Sequence, residues 1–329
     1  ATALSNIAEA VVDCLFKPVH AEFIETHGVI EGSDVAVLAL GKLGSREMTT
    51  NSDLDLVIIY GAPADAAGSD GAKTLLVTQY FARLSQRLIN ALTALTPDGG
   101  LFEVDMRLRP SGNSGPIATT IEAFTAYHAD QAWTWEHMAL TRARVISATS
   151  DKIQSDVEDT IRRVLTNPRA PEPLLRDVAD MRARLAREKP ADCLWSLKQL
   201  RGGMVDIEFI AQYLALRHAA ENSDILNSET LVLLENLTRA GYLNASNGAL
   251  LRDALKMFQA LQSTLSLTIE DDITSQRVDT FSDALKARLA DVDKYADFNA
   301  LEAKVVGTAS KVFNLFQEII DTPASQFPA

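Results

Sequence analysis

The sequence is poor in the residues that would announce several common functions. It has two cysteines, Cys14 and Cys193, among 329 residues, too few for a disulfide framework or a zinc-binding spacing. Its five histidines show no paired metal-ligand spacing. Positive charge is in deficit: 31 Lys and Arg stand against 44 Asp and Glu, a net charge of −13. A surface that binds nucleic acid needs the opposite balance, so no nucleic-acid partner is expected. No stretch approaches the ~20 apolar residues of a membrane span, and no signal peptide opens the chain. No membrane association and a cytoplasmic location are therefore expected. The first residue is Ala1 rather than Met, which reads as a piece of a longer protein. The length allows two domains, each with its own core.

What is present centres on residues 35–60, VAVLALGKLGSREMTTNSDLDLVIIY. Val35 to Leu40 and Leu54 to Tyr60 are short apolar runs that suit buried strands. Gly41 and Gly44 lie between them and permit tight turns. Asp53 and Asp55 are two residues apart, so on a strand both carboxylates leave one face. Two adjacent carboxylates repel unless a positive charge sits between them. Ligation by oxygen alone points to a hard cation such as Mg²⁺, bound through carboxylates and substrate phosphates. Amides of the glycine turn could hold those phosphates. The plain alternative is a pair of solvated aspartates in a loop.

The rest of the first part alternates helices with turns. Residues 4–17 read as an amphipathic helix with Ile7, Val11, Cys14 and Leu15 inward, ended or kinked by Pro18. Residues 61–73 read as an exposed loop, or a flap over substrate. Residues 74–95 read as a helix with a core stripe of Leu76, Tyr80, Leu84, Leu88 and Leu92. Pro97 to Gly100 form a turn. Residues 102–109 alternate as a strand, with Glu103, Asp105, Arg107 and Arg109 on one face. That face reads either as a site or as a solvated surface of ion pairs. Thr120 caps a further helix, with Glu122 in its first turn. Trp133, Trp135 and His137 read as packing residues or as neighbours of a ligand. Arg142 and Arg144 read as helix-end charges, or as contacts to phosphate or to a protein substrate.

Near Ser150 the composition shifts to charged amphipathic helices, which places a domain boundary there. Helices are expected at about 175–188, 204–219, 228–240, 246–268, 280–290 and 296–320. Residues 167–173 are a proline-rich connector. Gly202-Gly203 before a helix opening with Asp206 and Glu208 reads as an anion site, or as acids complementing a helix dipole. Glu270, Asp271 and Asp272 read as a solvated acidic cluster.

Four strings together resemble one family. GKLGSREMTTNSDLDL (41–56), VDMRLRPSGNSGP (104–116), AWTWEHMALTRAR (132–144) and RGGMVDIEFIAQYL (201–214) are similar to those of the glutamine synthetase adenylyltransferases, within the polymerase-beta-type nucleotidyltransferase superfamily. The resemblance implies an α+β fold. A nucleotidyltransferase mixed sheet with flanking helices would occupy residues 1–150, and an all-helical bundle residues 151–329. It implies Asp53, Asp55 and Asp105 as catalytic ligands of Mg²⁺, with Glu103 as the fallback for Asp105. Nucleotide would be held by Lys42, Gly44, Ser45, Ser52, Arg107 and Arg109. The implied reaction moves AMP from ATP to a tyrosine hydroxyl of glutamine synthetase. Family members carry two such halves; the AWTWEH string and the helical tail resemble the adenylylating, C-terminal one. The alternatives are the adenylyl-removing half, acting by phosphorolysis, and a non-catalytic nucleotide-binding module. A PII-type nitrogen-signalling protein is the further partner the resemblance suggests.

Overall fold

The computed structural model describes residues 1–97, 99–269, 278, 280–292 and 294–327. They form a mixed α+β first part followed by an all-helical second part. Two compact units result, one of residues 1–48 and 52–165, the other of residues 49–51 and 166–329. The division falls after α6 (Asp151–Thr166) rather than near Ser150, because Ile153, Val157, Ile161 and Val164 of that helix are buried in the first unit.

The first unit is built on a five-stranded sheet. Strand β1 (Asp34–Ala39) lies antiparallel between β2 (Leu54–Gly61) and β7 (Arg144–Ala148). The other side of β2 carries two short parallel partners, β5 (Val104–Asp105) and β6 (Ala118–Thr120). Val35, Val37 and Ala39 of β1 join the core with helices α1 (Thr2–His27) and α3 (Val77–Leu92). Burying each large aliphatic or aromatic side chain contributes roughly 1.5–3 kcal/mol. Tyr60 stacks on Phe81 with ring centroids 4.0 Å apart, and Phe23 meets Tyr80 edge-on at 4.8 Å.

Several local expectations change. Helix α1 runs through Pro18 to His27. The anchor beyond the proline is Phe23, fully buried against Tyr80, whose hydroxyl donates to Gly28 O at 3.1 Å. Cys14 and Ile7 are exposed; Val11 and Leu15 pack against the core as expected, beside the buried Ala8, Val12 and Phe16. Leu76 is 60% exposed as the residue before α3, while Tyr80, Leu84, Leu88 and Leu92 are buried as expected. Residues 61–73 are tied down. The Val29 N–H donates to the Asp70 carboxylate at 2.7 Å, and His27 Nδ1 meets Lys73 O at 2.7 Å. Gly28, at φ 75°, passes so close to Gly71 that a side chain on either would clash. The turn expected at residues 97–100 closes a small hairpin of β3 (Leu95–Thr96) and β4 (Gly99–Gly100); Asp98 lies outside the described residues.

In the second unit, helices α7 (Pro171–Glu188), α8 (Met204–His218), α9 (Thr230–Arg239), α10 (Ala245–Thr268), α11 (Asp283–Asp291) and α12 (Phe298–Phe316) follow the expected segments within a few residues. The prolines of the 167–173 connector open α7, where the missing N–H costs nothing. The acidic cluster 270–272 lies outside the described residues. Gly202-Gly203 is a packing joint rather than an anion site. The Gly202 N–H donates to Asp206 Oδ2 at 2.5 Å, and a Cβ at Gly202 would lie 1.8 Å from Ala309 O. Asp206 is fully buried and accepts from Arg182 Nε at 2.5 Å, and the Arg182 side chain is itself 1% exposed. Arg201 lies 3.5 Å from the same carboxylate and covers the rings of Phe313 and Phe316.

A fully desolvated pair of this kind is costly to break, because the surviving charge stays buried. Asp206→Ala is expected to lower the unfolding free energy by about 3–5 kcal/mol in urea titrations. A change below 1 kcal/mol would mean that Asp206 is not the buried partner described.

Candidate active site

The site is assembled where β2 begins. Leu54 pairs in parallel register with Val104, and Asp55 with Asp105. Side chains paired in register leave the same face, so the Asp55 and Asp105 carboxylates stand on neighbouring strands side by side. Asp53 is exposed and immediately precedes the strand, with the fully buried Leu54 between it and Asp55. The backbone knits this edge together: Leu40 N–H donates to Asp55 O at 2.9 Å, and Leu54 N–H to Glu103 O at 2.8 Å. Gly41 is required beside it. Its φ is 52°, and a Cβ there would lie 2.0 Å from Asp55 Oδ2.

The strand expected over 102–109 shrinks to Val104–Asp105. Beyond it the chain turns, with Arg109 N–H donating to Met106 O at 3.3 Å and Gly112 N–H to Arg109 O at 2.8 Å. Arg107 and Arg109 therefore sit on a turn rather than along one strand face. Arg107 folds back on Asp105: Nε reaches Oδ1 and Oδ2 at 3.0 and 2.8 Å, Nη2 adds a contact to Oδ2, and the Arg107 N–H donates to Oδ1 at 2.8 Å. These hydrogen bonds, outweighing partial burial, hold the Asp105 carboxyl below the usual carboxylate range; the charges of Arg107 and Arg109 act the same way. Arg109 is spent on backbone. Its Nη1 donates to Met106 O at 2.7 Å, and Nε and Nη2 to Gly115 O at 3.4 Å each.

The glycine turn is a four-residue helix, α2 (Gly41–Gly44), with Lys42 on it. The Gly44 N–H donates to Leu40 O at 2.9 Å and the Ser45 N–H to Gly41 O at 3.2 Å. These two amides close the turn instead of facing outward. A Cβ at Gly44 would lie 2.0 Å from Arg142 O, so this glycine serves close packing. Ser45 is buried, and its hydroxyl donates to Glu47 Oε2 at 2.9 Å while accepting from Arg142 Nη2 at 2.6 Å. Ser52 is buried as well.

Three structural residues of the site escape a reading of the sequence. Arg142 forms an ion pair of 2.6 Å with Glu47, both nearly buried, and Arg144 on β7 pairs with Glu9 at 2.8 Å. These arginines brace the glycine turn rather than end a helix. The partners lie about a hundred residues apart in sequence, and no local pattern links them. Helices α4 (Ile121–Asp130) and α5 (Thr134–Leu140) form a joint around Glu136, which accepts from Tyr127 Oη at 2.7 Å and from Trp133 N–H at 2.8 Å. Thr120 caps α4 as expected, accepting from Ala123 N–H at 3.0 Å. Trp133 is 71% exposed and Trp135 partly so; His137 Nε2 donates to His128 O at 3.0 Å. The buried His128 packs on Phe124 and Tyr127.

The donor set of Asp53, Asp55 and Asp105 is oxygen only, which suits Mg²⁺ and not zinc. Among the described residues no three acidic, histidine or cysteine side chains converge closely enough to grip an ion; Asp105 is turned to Arg107. The three carboxylates fit the metal in the chemistry of their oxygen donors.

Comparison with known proteins bears on this geometry. Residues 1–160 match the family model for glutamate-ammonia ligase adenylyltransferase, and residues 177–320 that for GlnD PII-uridylyltransferase. The second match lies within the second compact unit, and the first lies within the first unit apart from residues 49–51. Relatives include the bifunctional glutamine synthetase adenylyltransferase/adenylyl-removing enzymes of Rhodopseudomonas palustris strain TIE-1, 47% identical over 97% of this chain, and of Xanthobacter autotrophicus, 45% identical over 98%. That of Bradyrhizobium diazoefficiens is 44% identical over 98%. The chain spans about a third, 32%, of the length of each of these relatives. Among the described residues no helix is long and apolar enough to cross a membrane.

Burial pushes the His128 imidazole down to about 3, helped by the neighbouring His137. The unfolded chain takes up this proton near the ordinary pKa of about 6.5, and the native protein does not. Stability should therefore be full above that value and fall as pH drops from it toward 3. Urea midpoints measured from pH 7 to 4 should show this fall, and His128→Phe should flatten it. An equally steep fall in the variant would assign the acid sensitivity elsewhere.

Proposed function

We propose that the chain belongs with the glutamine synthetase adenylyltransferases, whose family model its residues 1–160 match, and that its first unit transfers AMP from ATP to a tyrosine hydroxyl of glutamine synthetase. The observation that carries the proposal is the in-register pairing of Asp55 with Asp105, beside Asp53. In this reading the three carboxylates hold Mg²⁺. Held there, the metal would supply charge neutralisation around the α-phosphorus. Asp105 takes the proton of the tyrosine hydroxyl as its oxygen bonds to phosphorus. The bond to the β-phosphate oxygen breaks, and pyrophosphate leaves. Arg107, on an open turn, and Lys42, on α2, take the departing phosphates. Arg109 shapes the turn that presents Arg107. Gly41, Gly44, Ser45 and Ser52 shape the floor.

We assign the chain to the adenylylating half because residues 132–144, AWTWEHMALTRAR, resemble that half, and because a helical unit follows the sheet. The removing half would use the same carboxylates, with inorganic phosphate attacking AMP-tyrosine to give ADP and the free hydroxyl. A PII-type signalling protein is the further partner to be tested on the second unit.

The experiment supplies labelled ATP, Mg²⁺ and unmodified glutamine synthetase in one arm, and adenylylated glutamine synthetase with phosphate in the other. Label on glutamine synthetase in the first arm is expected. Asp53→Asn and Asp55→Asn should each lower its rate by at least about a hundredfold without shifting the thermal melt. Near wild-type labelling by either variant refutes the site, and release of ADP in the second arm alone reassigns the half.

A further inference from the structure

The acidic edge of the sheet already has a cation. Arg107 spreads its guanidinium over both oxygens of Asp105, and its backbone N–H adds a hydrogen bond to Oδ1. Asp105 is only 15% exposed, whereas the Arg107 side chain is 72% exposed. The charge of Arg107 is reinforced first by the Asp105 hydrogen bonds and charge, and then by Asp55 and Asp53. The guanidinium is bonded to Asp105, and Asp55 and Asp53 are near enough for their charges to act on it. Arg109 cannot take over, since its donors are committed to Met106 O and Gly115 O.

We propose that Arg107 is the resident counter-ion of this carboxylate group and makes binding of a divalent cation depend on the arrival of nucleotide. The proposal rests on the nucleotidyl-transfer reading above. Both Asp105 oxygens are occupied by Arg107, so Asp105 ligates nothing else until Arg107 lets go. Letting go is cheap on the arginine side. The side chain is solvent-exposed, sits on a turn, and gives up little packing. A nucleotide polyphosphate offers the planar fork a second bidentate acceptor of higher charge. The same side chain then passes from carboxylate to phosphate, and the vacated oxygens become available. By linkage, whatever factor nucleotide adds to cation binding, the cation adds to nucleotide binding.

The contrasting expectation is a surface ion pair with no consequence, since exposed pairs contribute little. The two are separated by Mn²⁺ binding to the full chain, followed by the electron paramagnetic resonance of free Mn²⁺, with and without a non-hydrolysable ATP analogue. Without nucleotide, Arg107→Ala should bind Mn²⁺ roughly threefold to tenfold tighter than wild type. Arg107→Lys, which keeps the charge but loses the fork, should fall between them. With the analogue present the advantage of Arg107→Ala should shrink. Equal or weaker Mn²⁺ binding by Arg107→Ala without nucleotide overturns the proposal alone. If wild type binds no Mn²⁺ even with the analogue, or Asp53→Asn binds it as well as wild type, the nucleotidyl-transfer reading falls with it.

Discussion

The first unit depends on two like charges being held next to each other. Asp55 and Asp105 are register partners on parallel strands, where neighbouring chains run ~4.8 Å apart. Like charges placed opposite one another destabilise a sheet. The register holds because slipping it by one residue would turn Leu54 and Leu56, both buried, onto the acidic face. Burial of two leucines, at roughly 1.5–3 kcal/mol each, outweighs a carboxylate repulsion that solvent and Arg107 both weaken. The hydrophobic pattern of β2 therefore fixes an electrostatic arrangement that the carboxylates would not adopt by themselves.

Around that edge, rigidity comes from pairs that are buried and long-range. Glu47 and Ser45 are gripped by Arg142, and Glu9 by Arg144, so the glycine turn is clamped from β7 and from α1. Gly41 and Gly44 let the backbone come within contact of Asp55 and of Arg142 O. The turn is accordingly a spacer of fixed shape, with its Gly44 and Ser45 amides used internally.

Much of this was legible in the sequence where the signal is local. The apolar runs gave β1 and β2, with Asp53 and Asp55 where the latter begins, and the 3.6-residue period gave the helices of the second unit within a few residues. Where the reading went astray, a tertiary contact outweighed a local preference. Pro18 does not stop α1, because Phe23 beyond it has a buried place against Tyr80. The alternation of 102–109 predicts a long strand, but Arg109 draws Met106 and Gly115 into a turn. Arg142 and Arg144 lie in or beside a strand that nothing in their neighbours announces, since its pairing partner is more than a hundred residues away. Gly202-Gly203 before a helix look like an anion site by type and spacing; they are a joint because the Asp206 carboxylate takes the Gly202 N–H and Arg182, on another helix, supplies its countercharge.

Asp206 and Asp105 make the distinction general. Each is an aspartate bonded to an arginine side chain and to a backbone N–H. Around Asp206 both partners are stripped of water, so separating them would strand a charge in the interior. That pair can only be structure. Around Asp105 the carboxylate is sheltered while the guanidinium remains in solvent. Water can meet the arginine as it leaves, and another anion can take its place. Desolvation of the cation, rather than the identity of the two residues, separates a fixed ion pair from one that can be exchanged. By that criterion the Arg107–Asp105 pair can be exchanged, and the Arg182–Asp206 pair cannot.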